Sequence, residues 1–148
     1  PEPMADLNRL RDEFAQPHDG LLKMIGRRHV RSNNSWMHNY RRLVKGKGRC
    51  TLLMHPDDMA ARDIADGTRV IVSSRTGSTQ VQVEASTQMM EGVVSLPHGF
   101  GHDRDGIRMD IARKHAGVSC NDITDELALD ALSGNAAVNG VPVSVVPG

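Results

Sequence analysis

Apolar positions recur along the chain in short bursts, and the period of each burst predicts an element. Leu7, Leu10 and Phe14 fall at helical spacing, which predicts a short helix from Asp6 to Ala15, broken by Pro17 and the Asp19-Gly20 pair. Leu21–Ile25 is short, apolar and closed by Gly26, the pattern of a buried strand. Residues 26–49 are polar and long, with Asn33, Asn34, Gly46 and Gly48, and a compact domain seldom keeps so long an irregular stretch without a use for it. From Cys50 onward the pattern is mostly β. Thr51–His55 predicts a strand, and Pro56-Asp57-Asp58 opens a short helix, with Met59, Ala60 and Ile64 on its inner face and Asp66-Gly67 closing it. Arg69–Ser73 and Thr79–Ala85 flank Arg75-Thr76-Gly77-Ser78 and predict a hairpin. In its second strand Val81 and Val83 alternate with Gln80, Gln82 and Glu84, which leaves one face wet. Glu91-Gly92 turns into the apolar run Val93–Leu96, followed by a loop rich in Gly and His. Residues 107–116 fit a helix or an irregular connection equally well. Val141–Val146 supplies a last strand, which Pro142 places near an edge. Six or so short strands with one or two short helices predict a small closed or half-closed β-barrel.

Length and composition narrow this picture. The 148 residues fit one domain, with residues 1–20 as a lead-in, partly helical or disordered, and residues 21–148 as the domain proper. Aromatic residues make up only 3%, so Val, Leu, Ile, Met and Ala build the core. No apolar run is long enough to span a membrane, and the N-terminus lacks a secretory pattern. Cys50 and Cys120 are too few for a disulfide scaffold or a four-cysteine metal site; a lone disulfide is the alternative to the favoured reading, two reduced, partly buried thiols of a cytoplasmic protein. A chain beginning at Pro1 reads as a piece of something longer.

The charge is balanced overall but strongly segregated. Residues 21–56 carry nine basic residues (Lys23, Arg27, Arg28, Arg31, Arg41, Arg42, Lys45, Lys47 and Arg49) and no acid. Such a block favours an anionic partner, or else is neutralised by the chain's own acidic half. Within it, Gly26 through Trp36 directly follows a strand. Gly26 permits close backbone approach, arginines match phosphate oxygens in pairs, and Ser and Asn add neutral donors. Trp36 can stack on a heterocycle or anchor the core, the commoner role of a lone Trp. The segment suits a nucleotide with a pyrophosphate. Single-stranded nucleic acid is the alternative, a β-barrel using residues 27–49 as a basic arm. It is disfavoured as a partner because Phe14, Trp36, Tyr40 and Phe100 are the only aromatics and two of them are expected inside. His98 and His102 have a metal-ligand spacing, but Gly99 and Gly101 between them oppose a helix, and no Glu completes a zinc motif. No Gly-x-Ser-x-Gly, dinucleotide fingerprint or Walker loop is present, so the residues predict a binding module with no catalytic set of its own.

Taken together and in order, Leu22–Trp36, Cys50–Asp58, Asp66–Gly77, Gly92–Gly99 and Asn121–Gly140 resemble the C-terminal molybdopterin dinucleotide-binding domain of molybdenum oxidoreductases. These are the enzymes of the formate dehydrogenase, nitrate reductase and dimethyl sulfoxide reductase group, and the likeness is greatest to formate dehydrogenase-like members. The resemblance implies a mainly β fold, a double-psi β-barrel. It implies that the domain holds molybdopterin guanine dinucleotide (bis-MGD), with molybdenum or tungsten, for two-electron chemistry on a small substrate such as formate. It maps cofactor contacts onto Gly26, Arg27, Arg28, His29, Arg31, Ser32 and Asn33 after the first strand, and onto Pro97, His98 and Gly99 after the Val93 strand. Asn121-Asp122-Ile123-Thr124 matches the family's Asn-x-Leu-Thr element, with Ile for Leu, so Asn121 and Asp122 join the set. Asn139 stands where the family often has Lys. The family's iron–sulfur cluster and metal ligand lie in other domains, so this domain ligates no metal, is expected to be inactive alone, and has the rest of its parent enzyme as partner.

Overall fold

The computed structural model describes residues 2–15 and 19–148, apart from the side chains of residues 2, 3, 13 and 14. The breaking role expected of Pro17 and the contacts of Phe14 therefore lie outside the described residues. Helix α1 spans Glu2–Ala15, beginning four residues earlier than its apolar spacing predicts. The strands are β1 (Leu22–Arg27), β2 (Thr51–Met54), β3 (Arg69–Ser73), β4 (Ser78–Ala85), β5 (Val93–Pro97) and β6 (Val141–Pro147). Three short helices lie between them: α2 (Arg41–Val44), α3 (Pro56–Ala60) and α4 (Asp110–Arg113). The undecided stretch 107–116 thus contains a single helical turn.

The strands close into one barrel in the order β1-β5-β2-β4-β3-β6. Two pairs are parallel, β1 with β5 and β2 with β4, and the other neighbours are antiparallel. Each parallel pair is made by strands that are not consecutive in sequence, as a double-psi β-barrel requires. Val70 and Val72, Val81 and Val83, and Val141, Val143 and Val145 point inward at period two, and with Leu22, Met24, Leu52, Met54 and Leu96 they fill the interior. Burial at this depth contributes roughly 1.5–3 kcal/mol for each large side chain.

Two expectations change. β6 is not an edge strand, because it pairs with β1 through Val141–Val143 and with β3 through Ser144–Pro147. The half of β6 holding Pro142 has a registered partner on one side only, which is how a closed barrel accommodates a residue lacking an N–H. Ala60 of α3 is exposed, whereas Met59 and Ile64 are buried as expected. α3 itself starts as its residues dictate: His55 Nδ1 accepts from Asp57 N at 3.2 Å, Pro56 occupies the first turn, and the Asp58 carboxylate accepts from Gly92 N at 2.7 Å. That last bond ties the helix to the turn that launches β5.

Candidate functional site

The parallel pair β1 and β5 runs in register from Lys23↔Val93 to Arg27↔Pro97, so both strands end at the same rim of the barrel. The loops they release, residues 28–40 and 98–109, therefore start side by side. Loop 28–40 is a succession of tight turns in which Asn33 and Asn34 both take positive φ (40° and 61°), a conformation Asn tolerates better than most residues. The Asn34 side chain thereby bridges the starts of the two loops. Its Oδ1 accepts from Arg28 Nη1 at 3.1 Å and from His98 Nε2 at 2.8 Å. Gly99 (φ +90°) packs directly on Asn34: a Cβ there would lie 2.4 Å from the Asn34 carbonyl oxygen. Deeper in, His38 Nδ1 meets His102 Nε2 at 2.7 Å, and the His38 ring lies against Phe100. His98 and His102 are each bonded to the neighbouring loop, to Asn34 and His38.

A third segment completes the rim. The β3–β4 turn carries Arg75, whose guanidinium grips the Asp125 carboxylate through two bonds of 2.5 and 2.6 Å, while Thr76 Oγ1 donates to the Thr124 carbonyl at 3.0 Å. Gly77 allows this approach, since a Cβ would sit 2.5 Å from the Asp122 carbonyl oxygen. The clamp presents the 3₁₀ turn Cys120–Asp122, and with it Asn121 and Thr124, toward β1. From the far side the Asn139 Oδ1 accepts the Gly26 N–H at 2.8 Å, and Gly140 N donates to the Met24 carbonyl at 2.8 Å.

Two adjoining cavities result. One, of about 330 Å³, is lined by Gly26, Arg27, Arg28, His98, Cys120, Asn121, Thr124, Val138 and Asn139, with no carboxylate among them. The other, a basic trough of about 420 Å³, takes in Arg27, Arg28, His29, Arg31, Lys45, Lys47, Arg49 and Pro97. Its single carboxylate, Glu84, is already engaged by Lys47 at 2.7 Å and Thr51 at 3.0 Å. The Lys47 bond, chiefly, holds that carboxyl below its usual range.

The sequence-predicted residues are used unequally. Gly26, Arg28, His98, Asn121 and Asn139 meet around the first cavity, and His29, Arg31 and Pro97 line the trough. Arg27 lines both, but its guanidinium is engaged by backbone carbonyls, donating to Ser95 at 2.5 Å, Thr51 at 2.6 Å and Arg49 at 3.3 Å. Burial pulls its pKa below the usual arginine value. Ser32 is buried within its own loop, Asn33 is exposed at the turn, Gly99 is covered by Asn34, and the Asp122 carboxylate accepts from Arg104. Sequence reasoning missed Asn34, Thr124 and the Lys45–Arg49 segment. Thr124 stood within the quoted Asn121-Thr124 element, and the lysines and Arg49 stood within the basic block.

Trp36 corrects a further expectation: it is 84% exposed and anchors no core. Tyr40 is also exposed and Phe100 half-buried. Nor is the basic block neutralised internally. Among the described residues only Lys47 of that block is ion-paired, while the acidic half pairs with its own Arg62, Arg75 and Arg104. Cys50 and Cys120 are free thiols, half-buried and buried, and burial raises both pKa values. Among the described residues no helix is long and apolar enough to cross a membrane.

A donor-rich, carboxylate-free cavity beside a basic trough fits a ligand with a hydrogen-bonding heterocycle and anionic phosphates. Comparison with known proteins agrees. The sequence is 42% identical over 60 residues to dimethyl sulfoxide/trimethylamine N-oxide reductase of Rhodobacter capsulatus, a match covering 40% of this chain and 7% of the reductase. The fold superposes on acetylene hydratase from Pelobacter acetylenicus with a TM-score of 0.71 and 16% identity, over 95% of this chain and 19% of that one. The chain thus spans only a small part of either relative. Residues 22–142 match the family described as the molydopterin dinucleotide binding domain, and the chain belongs to that family.

Proposed function

We propose that this chain holds bis-MGD, carrying molybdenum or tungsten, inside a larger cytoplasmic oxidoreductase that acts on a small substrate such as formate. Residues 21–148 form the binding domain and residues 1–20 a lead-in to it. The observation that carries the reading is the cavity shared by Gly26, Arg28, His98, Asn121, Thr124 and Asn139, open beside the basic trough and free of carboxylates. Asn121 offers both donors and an acceptor to a heterocycle edge, and His98 and Asn139 flank it. Arg28, Arg31 and Lys45 supply cations for phosphates, none of them ion-paired among the described residues, and His29 adds a hydrogen-bonding imidazole. Arg27 acts behind them by holding β1, β2 and β5 together at the rim. When bound, the metal centre supplies the two-electron chemistry; the residues of this chain bind and orient. The names of the two relatives, a reductase and a hydratase, support a domain that holds cofactor while other domains decide the reaction.

Exposed Trp36 and Tyr40, in a segment whose arginines have no ion pair among the described residues, favour a second reading, binding of single-stranded nucleic acid. One experiment separates the two. The chain is titrated with GDP and with a short oligonucleotide at two salt concentrations, following backbone amides by NMR. GDP-induced shifts at Gly26, His98, Asn121 and Thr124 are expected. Shifts spread over residues 27–49 with the oligonucleotide alone, and lost in salt, would transfer the assignment to nucleic acid. In the parent enzyme, Arg28→Ala with Arg31→Ala is expected to lower retained molybdenum; unchanged metal content would refute the phosphate role.

A further inference from the structure

His38 and His102 come from the two rim loops, 64 residues apart in sequence, and are buried at 3% and 6% exposure. Their rings meet edge to face with Nδ1 and Nε2 2.7 Å apart. So short a contact between two imidazoles requires one proton between the nitrogens. The neutral pair has that proton. A first added proton goes to an outer ring nitrogen and leaves the bond intact. A second sets N–H against N–H and abolishes it.

The surroundings resist both additions. His38 faces His102, His98 and Arg49, all cationic or potentially so, and only the Gly99 backbone favours its charged form. Lys47, Cys50 and His115 line the small cavity next to it, and no carboxylate does. The His38 Nε2 atom is buried with no hydrogen-bond partner among the described residues. On the His102 side burial outweighs the Gly99 backbone and the Asp103 carboxylate, which both favour the charged form. Phe100 covers the His38 ring at 4.3 Å between centroids.

We propose that the His38–His102 pair is a proton-operated latch, which joins the β1 and β5 loops when neutral and lets them part when both rings are protonated. Burial holds both imidazoles below the ordinary histidine value, with the His102 charge adding to the effect on His38. For a histidine depressed in the folded state, the stabilising contribution is complete above the ordinary value of about 6.5 and is lost as pH falls through the folded value. The latch therefore closes in neutral solution and opens in acid. Because His98, Gly99 and Asn34 lie on the joined loops, opening loosens the candidate dinucleotide site; that consequence, unlike the latch itself, rests on the function proposed above.

The test is an NMR titration of the isotopically labelled chain from about pH 8 to about pH 4.5, the window in which histidines change charge. The imidazole nitrogens of His38 and His102 are followed together with the amides of residues 32–40 and 98–102. Both rings are expected to titrate below the ordinary range, and the amides of both loops to shift with the same midpoint while barrel-strand amides stay still. His102→Phe, which keeps the ring and removes the nitrogens, is expected to abolish that shared midpoint. Should this variant not fold, the titration of the unmodified chain decides alone. GDP affinity is expected to fall roughly threefold to tenfold between about pH 7.5 and about pH 5.5, and to lose this dependence in the variant. Imidazoles that titrate without moving the loop amides, or that never titrate in the window, overturn the latch. Loop amides that respond to pH while GDP leaves them unmoved at both pH values would uphold the latch and overturn the dinucleotide reading instead.

Discussion

Arg27 and Arg28 are neighbours in sequence, carry the same side chain, and should behave oppositely when removed. Arg27 places its guanidinium on three backbone carbonyls, the two shorter bonds going to Ser95 (2.5 Å) and Thr51 (2.6 Å). Both residues are buried, at 3% and 6% exposure, so carbonyls stripped of this donor gain little from water. Hydrogen bonds from a charged donor contribute about 1.5–3 kcal/mol each, and burying the guanidinium offsets part of that. Taking two bonds at the low end, Arg27→Ala should cost about 3 kcal/mol. For a domain of this size that corresponds to a fall in Tm of about 6–12 °C. Arg28 is exposed and makes one side-chain bond, to Asn34, so Arg28→Ala should change stability by under about 0.5 kcal/mol. Urea unfolding followed by circular dichroism measures both. If Arg27→Ala stays within about 1 kcal/mol of the unmodified chain, the carbonyl bonds do not hold the rim together and Arg27 returns to the pool of candidate phosphate ligands.

Three other outcomes are expected. Gly99→Ala combines a positive φ with a 2.4 Å approach to the Asn34 carbonyl, so it should destabilise by at least about 2 kcal/mol in urea unfolding and shift the Asn34 and Ser35 amides. A substitution without effect would show that the two loops do not pack as described. Trp36→Ala should leave stability within about 0.5 kcal/mol, and the Trp36 fluorescence of the unmodified chain should be that of a water-exposed indole; blue-shifted emission would place it inside instead. The Asp125 carboxyl, held by Arg75, should titrate at about 2, and Arg75→Ala should return it toward the ordinary aspartate value. Since the folded value is depressed, the contribution of this pair is present above about pH 4 and is lost as pH falls toward 2. Carboxyl NMR across that window reads it directly, and an unmoved midpoint in the variant would assign the depression to the Leu127 amide.

The strands were legible because each carries a period or an apolar run that only one element fits. Val70 and Val72, Val81 and Val83, and Val141, Val143 and Val145 all alternate, and all point into the barrel. What the pattern could not show was pairing. Pro142 argues locally against a two-sided strand, and it took the division of β6 between β1 and β3 to reconcile it with a closed barrel. Trp36 was misjudged for a related reason: a lone large aromatic usually anchors a core, but the tight turns through Asn33 and Asn34 aim this one outward. The undecided stretch 107–116 had no periodicity to read, and its one turn of helix takes its N–H partner from elsewhere, the Asn39 side chain, which accepts from Ile111 N and Ala112 N at 3.1 Å.

The candidate site was legible as a region and not as a set of contacts, because identical side chains in one basic block meet different local demands. A guanidinium next to unfilled carbonyls, as at Arg27 and Arg49, becomes part of the scaffold; Arg49 donates to the Leu43 carbonyl at 2.8 Å and the Lys45 carbonyl at 3.3 Å. One beside a side-chain amide, as at Arg28, stays at the surface with donors to spare. Lys47 is drawn to Glu84, whereas Arg31, Arg41, Arg42 and Lys45 find no carboxylate among the described residues. Charge counted along the sequence treats all nine as equal; only the three-dimensional neighbourhood sorts those that build the rim from those left without a carboxylate among the described residues. The same sorting explains Asn139. A lysine there would bring a cation to the cavity, but it would take away the acceptor that receives the Gly26 N–H, so in this chain Asn139 keeps the end of β1 in place.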